Sequence, residues 1–312
     1  MSFIDKFKKN KLLLLVFIII TIIIIIVLFK VTSIYNCVFN DLFIYISSPI
    51  LSFMITALMK VASKIHFSYA WEKKYKEVLK KKSENYVRIS FAYLFRILIN
   101  GKYLLVKSER AQSYFQPVGG VYKCNEEEKK YLEYVFYAIS DDCIKIDNKS
   151  NCDYRMRVPI KKLIKFIKRF DKTHNRELIN DLHREFEEEL IKKSIISKIN
   201  FNKIKYRYCG RHFQFLEPEQ SAYHCYELLL ADVVEFVPTD YQIEEFTILQ
   251  SVNNKSLYYW ANEEEIEKLG IKTGLDNQKP FIKNHSFKVL QKNNGKLIKN
   301  KYSGKDYSLI IK

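Results

Sequence analysis

The chain has 312 residues and few that interrupt regular structure. It holds 8 glycines and 6 prolines, too few for a collagen-like or low-complexity protein. Metal-binding spacing is missing too. The six cysteines (Cys37, Cys124, Cys143, Cys152, Cys209 and Cys225) form no Cys-x-x-Cys pair, and the six histidines show no ligand spacing, which excludes a zinc knuckle. There is no Ser/His/Asp or Cys/His signature and no Walker-type phosphate loop. Acidic residues are scarce relative to basic ones, 35 against 52, a net charge of +17. An aromatic content of 15 % excludes a disordered chain.

What is abundant is concentrated at the start. Leu12 to Phe29 are 18 consecutive residues, all apolar except Thr21. As a helix that run is about 27 Å long, close to the thickness of a bilayer's hydrocarbon core. A second apolar run, Leu42 to Met59, carries Pro49 near its middle, which membrane helices tolerate. The outer flanks are basic, from Lys6, Lys8, Lys9 and Lys11 to the lysines between Lys60 and Lys82, and the short loop between the runs holds only Lys30 and Asp41. The positive-inside rule then predicts a two-helix hairpin with both termini in the cytoplasm. A cleaved signal peptide fits less well, because its apolar core is shorter and ends in small residues.

Residues 1–64 are expected to form this membrane hairpin and 65–86 a basic connector. His66, Tyr69 and Trp71 suit the membrane interface, and the lysines after them suit an anionic leaflet. From Val87 the pattern predicts an α/β (α+β) domain over 87–291 and a Lys-rich tail over 292–312, mobile over 292–305. Strands are expected at Val87–Ile99 and Tyr103–Lys107 across the Asn100-Gly101 turn, near 203–216 and 222–237, and at Tyr307–Ile311. Helices are expected near 125–140, 159–170, 175–193, 263–269 and 280–291. The 159–170 helix is sharply amphipathic, with Leu163, Phe166 and Phe170 on one side and Lys161, Lys165 and Lys168 on the other.

The segment around Arg184 carries the chemistry. Glu185, Glu188 and Asp181 share one helical stripe with Glu189 at its edge, and like charges at that spacing need a counter-ion or bulk water. A hard divalent cation such as Mg²⁺ meets that need through oxygen ligands and can hold a diphosphate. A solvated surface helix is the plainer reading of a Glu-rich segment.

Arg184-Glu185-Phe186-Glu187-Glu188-Glu189 resembles the Arg-Glu-apolar-x-Glu-Glu core of the Nudix box. Gly120 through Glu126 is similar to the box's leading Gly-x5-Glu. Phe115-Gln116-Pro117-Val118-Gly119-Gly120 and Trp260 followed by Glu263-Glu264 are similar to the segments that flank the box. The resemblance departs from the family in two places. Fifty-seven residues separate Glu126 from Arg184, an insertion placed at about 127–174, and Ile191 stands where the box ends in Gly. The resemblance implies Glu185, Glu188 and Glu189 as metal ligands, with Mg²⁺ the expected ion. Glu126 is displaced by the insertion, and Glu177 is a candidate for its place.

Two membrane helices joined to such a domain resemble the transmembrane-Nudix effectors of bacterial CBASS anti-phage systems, which carry a SMODS-associated Nudix domain. That resemblance implies a protein of the inner membrane and a cyclic di- or trinucleotide signal made by a partner CD-NTase. It also implies oligomerisation on activation, membrane disruption and cell death, with no DNA or RNA polymer as partner. Under this reading the chain is a sensor rather than an enzyme. The alternatives are a membrane-anchored Nudix hydrolase of nucleoside diphosphate derivatives and a tethered scaffold.

A cyclic nucleotide presents phosphodiesters to arginine and bases to flat or aromatic surfaces. Arg155 and Arg157, beside Tyr154, are the leading candidates to bind it. Arg211, with Tyr206, Arg207, Tyr208, His212 and Phe213, forms a second cluster, and Gly119-Gly120 can present backbone N–H groups to a phosphate. The plain alternatives are surface arginines on a strand and a tight turn.

Overall fold

A computed structural model describes residues 86–311 except 112, 145–149, 253 and 272–278, together with residues 19, 23, 26, 52 and 56. The chain divides into two compact units, Met1–Lys82 and Ser83–Lys312. Among the described residues no helix is long and apolar enough to cross a membrane. Apart from those five positions, the expected spans 12–29 and 42–59 and the connector up to residue 85 lie outside the described residues.

The second unit is a mixed α/β domain. Its elements are β1 (Tyr86–Arg96), β2 (Leu98–Ile99), β3 (Lys102–Lys107), β4 (Phe115–Pro117), β5 (Gly119–Val121), α1 (Glu126–Phe136), β6 (Ile139–Ser140) and β7 (Arg155–Pro159). Next come α2 (Leu163–Lys172), α3 (Arg184–Phe186, continued as a wider π turn over Glu187–Ile191), β8 (Lys203–Leu216) and β9 (Glu227–Phe236). The chain ends with α4 (Asp240–Val252), β10 (Tyr258–Ala261), α5 (Glu263–Glu267), two 3-10 turns over Asn284–Val289 and Gln291–Lys296, and β11 (Asp306–Ile310).

Strand β1 organises the large sheet, in the order β11-β8-β9-β1-β7-β6. One edge of β1 runs parallel to β9. Its other edge is shared, the first half pairing with β7 and the second half with β5. Alternation along β1 then sends Phe91, Tyr93 and Phe95 to one face and Arg88, Leu94 and Arg96 to the other. On the first face Phe91 meets Phe166 and Phe170 of α2, and Phe95 meets Phe186 of α3. On the second, Leu94 joins Leu105, Phe115, Tyr259, Val289 and Leu290 in a core shared with the small sheet β10-β3-β2, to which β4 adds.

The single strand expected over Val87–Ile99 breaks at Ile97, because the chain crosses there from the large sheet to the small one. Asn100 and Gly101 form the expected two-residue turn, both with positive φ (47° and 74°), the geometry that suits the twist of a hairpin. Helix α1 lies within its expected range, and α2 overlaps 159–170 but starts at Leu163 and runs on to Lys172. The helix expected over 175–193 forms only from Arg184 onward. Ahead of it, Arg176 and Glu177 pair with the strand-like segment Lys123–Cys124, and the Tyr206 hydroxyl bridges Ile179 O and Leu182 N. These tertiary bonds take the backbone groups a helix would use. Helix α4 has no strong periodicity and escapes sequence reading. The segment expected as a helix over 280–291 holds a 3-10 turn over Asn284–Val289, and a second such turn, Gln291–Lys296, leads into the tail. Buried Arg96 donates to Val289 O, to Leu290 O (3.2 Å) and to Asn294 Oδ1 (2.8 Å), and Ile298 pairs with Arg211.

A buried polar hub joins these layers. Asp232 of β9 is 1 % exposed and accepts from Tyr122 Oη (2.7 Å), Tyr208 Oη (2.7 Å), Arg211 Nε (2.7 Å) and Arg211 Nη2 (3.0 Å). Burial alone would raise its pKa, yet Arg211 and the two hydroxyls hold it below the ordinary carboxylate value. Arg211 also reaches Asp171 of α2 at 2.7 Å. Replacing Asp232 by Asn should cost about 3–5 kcal/mol, since it removes the buried charge partner of Arg211 and leaves it only the half-exposed Asp171. Tyr208→Phe should cost only about 1 kcal/mol. Equilibrium denaturation of both variants checks the order.

Candidate functional site

The two halves of the split box are brought together. Asn125 N donates to Asn175 O (3.0 Å), Cys124 bridges to Arg176, and Glu177 N donates to Lys123 O (2.9 Å). The insertion therefore leaves and returns at neighbouring points. Glu126 opens α1 inside the insertion, where its carboxylate accepts from Cys152 Sγ (3.1 Å). Glu177, the candidate for its place, lies against Arg184. Its Oε1 accepts from Arg184 Nε at 2.6 Å, and its Oε2 accepts from Lys123 N at 2.8 Å.

Arg184 is the centre of this arrangement. Besides Glu177 it binds Glu185 and donates to Val121 O at 2.9 Å, and Glu188 Oε2 lies 3.7 Å away. Burial works against its charge, but the carboxylates around it hold it firmly protonated. The arginine thus ties the strand after the glycine pair to the carboxylate helix.

Both glycines are required by close approach. Gly119 has φ +146°, and a Cβ there would lie 2.2 Å from Tyr93 O. Its N–H donates to Glu189 Oε2 at 2.9 Å. A Cβ on Gly120 would meet Glu185 Oε1 at 1.9 Å. The glycine N–H expected for a phosphate is therefore aimed, at Gly119, into a carboxylate of the protein itself.

The three expected metal ligands differ in environment. Glu189 is 6 % exposed, and burial, with Glu185 nearby, pushes its pKa up to about 8. Burial also raises that of Glu185, against the pull of Arg184. Glu188 has a side chain 44 % exposed. Their oxygens are hard ligands of the right type, but one oxygen from each does not converge on a common point. Among the described residues the trio that does is Asp141, Asp142 and Cys143, where Asp141 is spent on Arg88 at 2.7 Å and Asp142 on Arg157 at 2.7 Å. In this arrangement the box carboxylates do not fit a metal centre.

The arginine candidates separate as clearly. Arg211 is buried in the Asp232 hub, and Tyr206, Tyr208 and His212 are buried with it, so the cluster read as a nucleotide-binding surface is core. Only Arg207 is exposed there, and it pairs with Asp306 at 2.7 Å. Its alternation of apolar and charged residues is what a strand with one buried face produces, and the sequence alone does not say which face holds Arg211. Arg155 and Arg157 lie on β7, between β1 and the two-residue edge strand β6 of the large sheet. Arg157 donates to Cys143 Sγ (3.3 Å), while its Nε, like Arg155 Nη1, has no hydrogen-bond partner among the described residues.

The SMODS-associated NUDIX domain matches residues 86–290, from the first residue of β1 to the end of the first 3-10 turn and across the whole insertion. No curated protein matches the chain.

The Glu189 environment has a pH signature. Between its ordinary 4.5 and about 8 the folded chain holds a proton that the unfolded chain has lost. The stability this proton contributes is complete below 4.5 and gone above about 8. In chelator, Glu189→Gln should flatten the fall in melting temperature across that window and raise it at the alkaline end. Thermal melts at a series of pH values test this. Gly119→Ala should destabilise more than Gly120→Ala, because backbone blocks the first Cβ and a side-chain carboxylate the second.

Proposed function

Because the chain belongs to the SMODS-associated NUDIX domain family, we propose that it is a membrane-anchored sensor and effector of a CBASS-type antiviral defence. A cyclic di- or trinucleotide made by a partner CD-NTase binds the Nudix-like domain in the cytoplasm. The ligand prefers one state of the protein and shifts the population toward it. The protein then self-associates, and its two N-terminal helices, residues 12–29 and 42–59 of a hairpin over 1–64, disrupt the inner membrane and kill the cell. The connector over 65–86 transmits the change.

One observation carries the preference for sensing over turnover. The box carboxylates are turned onto the protein itself, Glu177 and Glu185 onto Arg184 and Glu189 onto Gly119 N–H. A binding domain can keep that scaffold, whereas hydrolysis through Mg²⁺ needs Glu185, Glu188 and Glu189 to converge. The alternative, a tethered Nudix hydrolase, draws on the intact Arg184-to-Glu189 sequence and on exposed Glu188.

Cyclic di- and trinucleotides should bind the full-length chain with Mg²⁺ present, be recovered whole, and release dye from liposomes that contain it. Glu188→Gln should leave that release unchanged. Turnover of the ligand, lost in Glu188→Gln, would replace the sensor by the hydrolase.

A further inference from the structure

The basic side of α2 takes no part in the core or the box. Leu163, Phe166 and Phe170 are buried beneath it. Lys161, in the turn before the helix, and Lys165 and Lys172 are exposed and have no ion pair among the described residues. Beside them α1 exposes aromatic rings. Tyr131, Tyr134 and Tyr137 are 39 %, 84 % and 59 % exposed, and a spacing of three places them on one stripe. Single exposed rings are ordinary, but a contiguous row marks a contact surface.

The two helices present one surface. Arg169 lies over the Tyr131 ring at 4.2 Å and Lys162 over the Tyr137 ring at 3.7 Å. Lys162 Nζ also donates to Val135 O at 2.5 Å. Lys130 is exposed on the tyrosine stripe, and Glu127 shares it at the end far from Tyr137. Glu133 stands about 100° round the helix from Tyr134 and lines a cleft with Lys129 and Asn151. Strand β1 begins at Tyr86, which pairs with Pro159, the residue before the turn Ile160–Lys162. The Tyr137 and Lys161 end of the surface therefore adjoins the point where the chain enters the domain from the basic connector expected over 65–86. The other exposed apolar helix has the opposite sign. Helix α4 shows Tyr241, Ile248 and Val252 to solvent, carries Asp240, Glu244 and Glu245, and holds no lysine or arginine.

We propose that the α1–α2 surface rests on an anionic lipid bilayer, with Tyr134 and Tyr137 at headgroup level and Lys161 and Lys165 on the lipid phosphates. Tyrosine is favoured at that depth because its ring is apolar and its hydroxyl is not. Each lysine near an anionic leaflet adds an attraction that salt screens. A second copy of the chain is the competing occupant, through the acidic face of α4, and the position beside the connector favours lipid. The assignment rests on the membrane-anchored reading and adds which side of the domain meets the bilayer. It gives the insertion, which supplies both helices, a use apart from the box.

The test is lysine footprinting of the full-length chain with a membrane-impermeant acetylating reagent. The chain is reconstituted in phosphatidylcholine vesicles, or in vesicles of equal parts phosphatidylcholine and phosphatidylglycerol, and floated to show that it is bound. Lys161 and Lys165 should label about fivefold more slowly in the anionic vesicles, and high salt should remove the difference. Lys255, just after α4, should label alike in both. Tyr134→Ser should fold, with an unchanged melting temperature in detergent, and lose most of the protection. Equal labelling of Lys161 and Lys165 in the two vesicles, or full protection in Tyr134→Ser, would overturn the surface, while flotation leaves the anchor standing. Protection of the same size in lipid-free micelles would overturn it in favour of a second copy. A chain that floats with neither vesicle would overturn the surface and the anchor together.

Discussion

The carboxylate of Asp232 sets the constraint the rest of the domain obeys. A charge buried that deeply survives only if its lone pairs are filled. Here they are filled by Tyr122 after the glycine pair and by Tyr208 and Arg211 of β8, and Arg211 donates in addition to Asp171 of the insertion. The sheet, the box strand and α2 are thereby locked to one another with a geometry that apolar packing alone leaves loose. Phe91, Phe166, Phe170 and Tyr154 then close around the same region edge to face, an arrangement their ring quadrupoles favour.

The box itself is preserved as architecture more than as a carboxylate cluster. Arg184 has an acidic partner even though 57 residues intervene between Glu126 and Arg184, because Glu177 pairs with it. Glu126 became a surface residue at the start of an inserted helix. An ion pair depends on what lies adjacent in space, and the chain has changed which residue supplies it.

Much of the domain was legible in the sequence. β-Branched and aromatic residues marked β1, Asn100-Gly101 marked its turn, the strands β8 and β9 were expected near their places, and the amphipathic run marked α2. The Arg-Glu core and the glycine pair marked the box, and Glu177 was a candidate for the place of Glu126. The parts that escaped share one cause. Residues 175–183 have helical spacing but give their backbone groups to Lys123 and Tyr206. Arg211 sits in a strand whose charged residues look exposed, and only the register with β9 turns it inward. The 3-10 turns near Val289 are held by Arg96, remote in sequence. In each case a distant side chain overrides local preference, and no window of neighbouring residues contains that information.

The meeting of the insertion's ends also bears on how the chain folds. Strands β1 and β9 pair in parallel although they come from opposite ends of the domain, and such non-local pairing is slow because loop closure precedes its reward. Once α1, α2 and β7 have collapsed around Phe166 and Phe170, residues 124 and 176 are neighbours. The segment between them then counts for little in the remaining search. An excursion that looks like a burden on the topology shortens the chain that β1 and β9 must close.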